Sequence, residues 1–370
     1  MDSESTLVRS TKIRIYPKNK VKIKQYAGLS RYWYNQAVEH LRQPDTKASL
    51  FEVRRIQCNE HPAWAMDCPQ RIREHAIADA CNAVKNAKIK FKKTGQFQQV
   101  KYRSKKDVVQ GFGFDRISLK QSFVFKGNRS ILFSSTEKII AEKEGTCIKY
   151  ENGKWYVIIP QSRNIKVPEN QRLGVVALDP GVRTFMSLYS PEMYGKIGEG
   201  DFNRIYRLCL HLDKIYSKMS HSKCEQKKRL HRAAERLRCK IHDLVDDLHK
   251  KTAHFLVTTF DVILIPTFKT QNMVSKLSSK TARNMLTFAH HKFKSFLYSK
   301  AEEYSCKVIE VNEAYTSKTC SYCGKLHSIG SRKTMKCSCG AIVDRDLNGA
   351  RGIFLRAMGA SPLTEMLCIC

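Results

Sequence analysis

Hydrophobic and polar positions along this chain keep two rhythms, one for each half. In "STKIRIYPKN" basic and apolar residues alternate and stop at Pro17, which predicts an edge strand of Lys12, Ile13, Arg14, Ile15 and Tyr16. From about Lys22 to Leu41 the apolar spacing becomes helical, with Tyr32, Trp33 and Tyr34 clustered in it, and a second helical run extends from about Pro69 to Phe91. Between about Gly111 and Pro160 the stretches "GFGFDRISLK", "SFVFKGNRSILFS" and "CIKYENGKWYVIIP" alternate over short distances. They are punctuated by Lys126-Gly127-Asn128 and Glu151-Asn152-Gly153, both hairpin signals. These stretches predict a small β-barrel completed by the first strand, with the helices between about 22 and 100 inserted in it.

After "QSRNIKVPENQR" the texture changes. "LGVVALDPGVRTFMSLYS" is a buried-strand run broken by Asp-Pro-Gly and resumed as a second strand. Residues 201 to 258 are helical, basic on one face and interrupted near "SKMSHSK", the pattern of an αα-hairpin. "FDVILIPTF" is another buried strand, "TARNMLTFAHHKFKSFLYSKAEEY" one long helix, and "CKVIEV" the strand after it. Strand, hairpin, helices, strand, helix, strand is an α/β order around a central sheet, so the chain is a multi-domain α/β protein.

Charge then narrows the partner. Lys and Arg total 66 against 34 Asp and Glu, a net charge of +32, far more than solubility requires. A polyanion, above all nucleic acid, is the partner this implies; a merely solvated basic surface is the plainer alternative. The strip "KIKFKKTGQFQQVKYRSKK" interleaves Lys90, Lys92, Lys101, Arg103 and Lys105 with Phe91, Phe97 and Tyr102, which suits a phosphate backbone, and its plainer reading is a solvated loop. The opening residues are charged, with no apolar core of a signal peptide, and no apolar run approaches the roughly 18 residues of a membrane span. A soluble intracellular protein is therefore expected, and its 14 cysteines are expected as reduced thiols and metal ligands.

Two constellations carry chemistry. Asp179 ends a buried strand, Glu313 lies just past another, and Asp346 precedes the helical "LNGARGIFLRAM". Carboxylates at the carboxyl ends of neighbouring strands build a site in an α/β sheet, and three of them can hold two Mg²⁺ ions about 4 Å apart for phosphodiester hydrolysis. Each alone has a plainer reading: a turn at Asp179-Pro180-Gly181, a cap or a solvated side chain at Glu313, a helix N-cap at Asp346. Cys320-x-x-Cys323 and, thirteen residues on, Cys337-x-Cys339 have the count and approximate spacing of a four-thiolate structural Zn²⁺ site. The second pair is one residue short of C-x-x-C, which leaves His327 as a substitute ligand.

"LDPGVRTFMSL", "TARNMLTFAHHKFKSFL", "YTSKTCSYCG" and "DRDLNGARGI" together resemble the RuvC nuclease half of the transposon-encoded TnpB proteins and their eukaryotic and viral relatives, the Fanzors. "KIRIYPKN" and "YWYNQAV" resemble the same family's wedge strand and recognition helices. The resemblance implies an RNA-guided DNA endonuclease with an RNase H-like RuvC domain, a zinc-finger insertion, and a wedge β-barrel carrying an inserted helical recognition domain. On this sequence it implies a first wedge strand at 1–21, a recognition domain at 22–105 and the rest of the wedge at 106–167. The nuclease domain follows at 168–315 with its helical hairpin at 201–258, then a zinc-binding insertion at 316–342, the last nuclease motif at 343–358 and a tail at 359–370. The implied partners are an omega-type guide RNA and target double-stranded DNA bearing a short adjacent motif, bound by a monomeric ribonucleoprotein. The implied location is the nucleus for a eukaryotic or viral source and the cytoplasm otherwise. Lys12, Arg14 and Tyr16 of the first strand and Tyr34 and Asn35 of the first helix join the basic strip as candidate nucleic-acid contacts.

One departure from the family pattern stands out. The usual second carboxylate is a Glu closing the strand that matches "VILI", where this chain has Pro266, and Glu313 stands where most TnpB proteins have Pro. Neighbouring strand ends in such a sheet are roughly 4.8 Å apart, a distance a Glu side chain covers, so the resemblance implies a relocated glutamate of the Fanzor kind. Glu310 is the rival position, but it alternates to the face opposite Ile309, Val311 and Glu313. Two other functions compete: an RNA-guided DNA-binding protein without catalysis, and a transposition-associated protein.

Overall fold

The computed structural model describes residues 6–166, 171–267, 279–312, 316, 318–327 and 332–359. It comprises two compact units, one of residues 6–163 and one holding the described residues from 164 onward.

The first unit joins β1 (Thr6–Pro17) to α1 (Lys20–Leu41), two short helices α2 (Leu50–Val53) and α3 (Ala63–Met66), and the long α4 (Gln70–Thr94). Five strands follow: β2 (Val109–Gly113), β3 (Phe123–Val124), β4 (Ile131–Ser135), β5 (Cys147–Glu151) and β6 (Lys154–Asn164). They form one six-stranded sheet in the order β2-β5-β6-β1-β4-β3. The expected edge strand is thus an interior strand, flanked by β6 and β4. Pro17, which suggested an edge, is the last residue of β1, where its missing N–H leaves the ladder before it intact. Alternation holds within it: Ile13 and Ile15 are buried while Lys12 and Tyr16 are exposed. Asn19 caps α1 by accepting the Lys22 amide at 2.9 Å. Trp33, Ala37 and Ile23 of α1 share a core with Ile72, Ala76 and Ala80 of α4. The β5–β6 hairpin turns through Asn152 and Gly153, with φ of 51° and 78°, as its sequence signal required.

The second unit has β7 (Leu173–Pro180), β8 (Met186–Tyr189) and β9 (Tyr194–Ile197), then the helical hairpin α5 (Asp201–Ser220) and α6 (Cys224–Thr259). After β10 (Phe260–Pro266) come α7 (Ser279–Phe288), α8 (His290–Glu303), β11 (Lys307–Val311), the short pair β12 (Thr334–Lys336) and β13 (Ile342–Asp344), and α9 (Arg345–Met358). The main sheet runs β11-β10-β7-β8-β9, parallel from β11 to β7 and antiparallel from β7 to β9.

The central strands β7 and β10 are buried on both faces, which is why they read as unbroken apolar runs. Val176, Leu178, Ile263 and Ile265 pack with Leu256 of α6 and with Phe293, Leu297 and Ala301 of α8. Val175, Ala177 and Leu264 pack with Ile353, Phe354 and Ala357 of α9, beside Ile309 and Val311. The expected single long helix is two helices, because Ala289 adopts a left-handed conformation (φ 50°, ψ 50°) that interrupts it. No helix among the described residues is long and apolar enough to cross a membrane.

Candidate functional site

The α9 face of the sheet positions the carboxylates. Along β7 the residues facing α9 are Val175 and Ala177, and alternation assigns Asp179 to the same side. The contact is close: a Cβ added at Gly349 of α9 would overlap the Asp179 carboxylate. Asp346 lies three residues before Gly349 and therefore on the same helical face. Asp346 is not the helix cap. That role belongs to Asp344, whose Oδ1 accepts the amides of Asp346 (3.0 Å) and Leu347 (3.3 Å). Asp344 Oδ2 receives Lys196 Nζ of β9 at 2.6 Å. Burial pushes the Asp344 carboxyl up, but Lys196 and the two amides outweigh it and hold the group below its ordinary value. Asp346 is pushed the other way, first by burial and then by the Asp344 charge, against Lys196, Arg345 and Arg183. The cap discharges the helix start and leaves Asp346 as a half-buried carboxylate that a cation would stabilise.

The turn after Asp179 is held from behind. His290, the first residue of α8, donates Nε2–H to the Gly181 carbonyl at 3.0 Å, and its ring stacks on Phe185 at 5.2 Å and 6°. Burial lowers the His290 pKa to about 4, so the ring is neutral at physiological pH. Gly181 tolerates no side chain, since a Cβ there would stand 2.6 Å from the Thr184 carbonyl oxygen. Of the two candidates for the remaining carboxylate, Glu313 lies outside the described residues. Glu310 is engaged on the α8 side, where Lys294 Nζ is 2.7 Å and Tyr298 OH 3.1 Å from its carboxylate. The β10 and β11 ends are neighbours in register, Pro266 opposite Val311.

The thiols converge. The Sγ atoms of Cys320, Cys323, Cys337 and Cys339 all lie within 4.8 Å of one another, the spread expected around a tetrahedral ion with roughly 2.3 Å bonds to sulfur. Among the described residues this is the one group of three or more ligands close enough to hold a metal ion. Each loop closes on the carbonyl of its first cysteine, the second one residue tighter: Gly324 N bonds Cys320 O, four residues back, at 2.9 Å, and Gly340 N bonds Cys337 O, three residues back, at 3.0 Å. Both glycines have positive φ, 77° and 89°, so the shortened C-x-C pair forms a knuckle as readily as C-x-x-C. His327 Nε2 is 3.1 Å from Cys337 Sγ. The Cys339 amide and neighbouring thiols, with His327, hold the Cys337 thiol below its ordinary value, while the Cys323 thiol beside it is pushed up. The knuckle and α9 are tied together, because Asn348 of α9 accepts the Ser321 amide at 3.0 Å and donates to the Thr319 carbonyl at 2.8 Å.

Of the candidate nucleic-acid contacts, Lys12, Tyr16, Lys90, Lys92, Lys101 and Lys105 are exposed and Arg14 is half-buried. Tyr34 and Asn35 serve the fold. Tyr34 is buried with the Arg103 guanidinium 3.9 Å above its ring, and Asn35 exchanges two hydrogen bonds with the Arg103 backbone. Arg103 also pairs with Asp79 at 2.8 Å, so these residues pin the basic strip to α1 and α4. Sequence reasoning did not single out Asp344, Lys196, Asn348 or His290. The Asp-x-Asp before a helix was a legible capping signal for Asp344; the other three carry none, because their partners are remote in sequence.

The Cas12f1-like, TNB domain family model matches residues 290–353, from the start of α8 to α9 with the thiol cluster between them. "Putative transposase A625R" of Paramecium bursaria Chlorella virus 1 is 27% identical over 385 aligned positions, covering 95% of this chain and 87% of that protein. "Putative transposase R186" of Acanthamoeba polyphaga mimivirus is 34% identical over 217 positions, 56% of this chain and 44% of that protein, so the chain spans less than half of this relative. "Putative RNA-guided DNA endonuclease InsQ" of Escherichia coli (strain K12) is 21% identical over 378 positions, 93% of this chain and 90% of that protein. The chain is thus similar to a Cas12f1-like TNB domain over residues 290–353 and, along most of its length, to viral and bacterial proteins described as putative transposases and a putative RNA-guided DNA endonuclease.

Proposed function

We propose that this protein is an RNA-guided DNA endonuclease of the Fanzor kind that hydrolyses target DNA at a RuvC-type carboxylate site formed by Asp179, Glu313 and Asp346. The observation that carries the reading is the approach of the Asp179 carboxylate to α9 at Gly349, one turn from Asp346, on a sheet ordered as in RNase H-like folds. A relative bearing the description of an RNA-guided DNA endonuclease along 93% of this chain, and the net charge of +32, support guide RNA and DNA as partners. The relocated glutamate is supported by the register of Pro266 opposite Val311 and by the engagement of Glu310 elsewhere.

Asp179, Glu313 and Asp346 would hold two Mg²⁺ ions, whose chemistry when bound is to lower the pKa of an attacking water and stabilise the leaving oxygen. The chain's own residues do the positioning: Asp344 caps α9, Lys196 neutralises the cap, and His290 holds the turn that follows Asp179. The thiol cluster would hold one structural Zn²⁺ and, through Asn348, fix the start of α9. Nuclear action in a eukaryotic or viral host is part of the same reading.

The test is cleavage of supercoiled target plasmid by the ribonucleoprotein assembled with the RNA that copurifies with it, in Mg²⁺ and in EDTA. Asp179→Ala and Asp346→Ala should each lower the cleavage rate by at least about a hundredfold, with guide-directed DNA binding unchanged. Wild-type binding without any Mg²⁺-dependent cleavage would establish the catalytically silent reading in place of this one. Cleavage by Asp179→Ala at the wild-type rate would overturn the site.

A further inference from the structure

We propose that a pocket between α1 and the last turns of α4 takes an unpaired nucleobase from a single-stranded nucleic-acid segment. The proposal rests on the nucleic-acid-binding function above and gives it a specific contact.

The pocket has a volume of about 550 Å³, within the range of small-ligand sites. Its floor is aliphatic, from Val38 and Leu41 of α1, Val84 of α4, and Val100. Phe91 and Phe97 stand at its mouth with ring centroids 6.5 Å apart in an edge-to-face arrangement. Phe97 is 80% exposed and Phe91 47% exposed. The local sequence builds this: Gly95 ends α4 in a left-handed conformation (φ 67°) with its amide on Phe91 O at 2.8 Å, and the chain turns back so that Phe97 returns over Phe91.

Charge selects the occupant. Lys88 and Lys92 line the same pocket four residues apart on one face of α4, both exposed. Arg42 completes the wall, its guanidinium stacked 4.0 Å over Tyr102 and donating to the Val100 carbonyl at 3.0 Å. An apolar cavity with two exposed aromatic rings and a cationic rim fits a base that stacks while its flanking phosphates meet the lysines. A phosphate-binding strip alone needs no such cavity, and a paired base in a duplex has no free face to offer the rings.

The test compares full-length wild type with Phe97→Ala, Phe97→Tyr and Lys92→Ala in binding to a labelled oligouridylate and to an RNA duplex of equal length, over a series of salt concentrations. Phe97→Ala should weaken oligouridylate binding about five- to a hundredfold, with an unchanged salt slope and unchanged duplex binding. Phe97→Tyr should restore affinity to within about twofold, and Lys92→Ala should flatten the salt slope. Salt-dependent binding of both probes that ignores Phe97, or an equal loss on both, would overturn the pocket and leave the proposed function standing. A wild-type protein that binds neither probe would overturn both.

Discussion

The thiol cluster and the Asp179/Asp346 pair are built over different distances. The four thiols lie within nineteen positions of one another, on two tight loops whose glycines carry the turns, and they converge through local backbone geometry. The carboxylates come from positions 179 and 346, and Asp179 reaches α9 at Gly349, one turn from Asp346, because β7 and α9 pack through Val175, Ala177, Ile353 and Phe354. A local site tolerates change in the rest of the fold, while a dispersed site inherits every error in packing. Asn348 and Asp344 join the two: the knuckle's hairpin runs straight into the cap of the helix that carries Asp346.

That comparison breaks most severely at the cysteines. Cys320→Ser should lose the bound metal and lower the melting temperature, because structural zinc in small sites is worth on the order of 10 kcal/mol of folding free energy. Metal analysis and a thermal melt of the variant check this, and unchanged metal content with an unchanged melt would show that the knuckle does not depend on the cluster. Cleavage should fall with it, since α9 loses its anchor.

Next in size is the acid response of the turn behind Asp179. His290 titrates at 6.5 when unfolded and at about 4 when folded, so the unfolded state takes up the proton first. Its contribution is fully present above pH 6.5 and declines as pH falls toward 4, a loss of about 3 kcal/mol by linkage. His249, packed on the other side of Phe185 and also lowered by burial, adds loss in the same direction. Denaturant unfolding across that window should show a shallower pH slope for His290→Gln than for wild type; equal slopes would rule His290 out as the source.

A smaller effect separates Asp344 from Asp346. Asp344→Ala should cost about 1 kcal/mol of stability as a lost N-cap, and Asp344→Asn less, since an amide oxygen still caps while the Lys196 pair is lost. Equal losses for the two variants would assign the role to charge and not to capping. Smallest of all, Glu310→Ala should change stability by no more than about 0.5 kcal/mol, as for an exposed ion pair, and leave plasmid cleavage near wild type. Abolished cleavage there would move the third carboxylate from Glu313 to Glu310.

The sequence by itself determined what depends on near neighbours. Period-two and period-3.6 patterns marked β1, α1, α4 and the α5–α6 hairpin, short apolar runs marked the strands β7, β10 and β11, and Asn152-Gly153 fixed its turn, because local sterics and amphipathicity act over a few residues. The same locality made the four-cysteine spacing readable. Tertiary structure decided the rest. The interior place of β1 depends on β4 and β6, which follow it by more than a hundred residues, and the break falls at Ala289, itself the best of helix formers. Whether Tyr34 and Asn35 face a ligand or the chain's own Arg103, and which of Asp344 and Asp346 caps the helix, turns on contacts no periodicity encodes. Each follows from which surfaces the two units bury, and burial is a property of the assembled core, where charge is costly to leave unpaired.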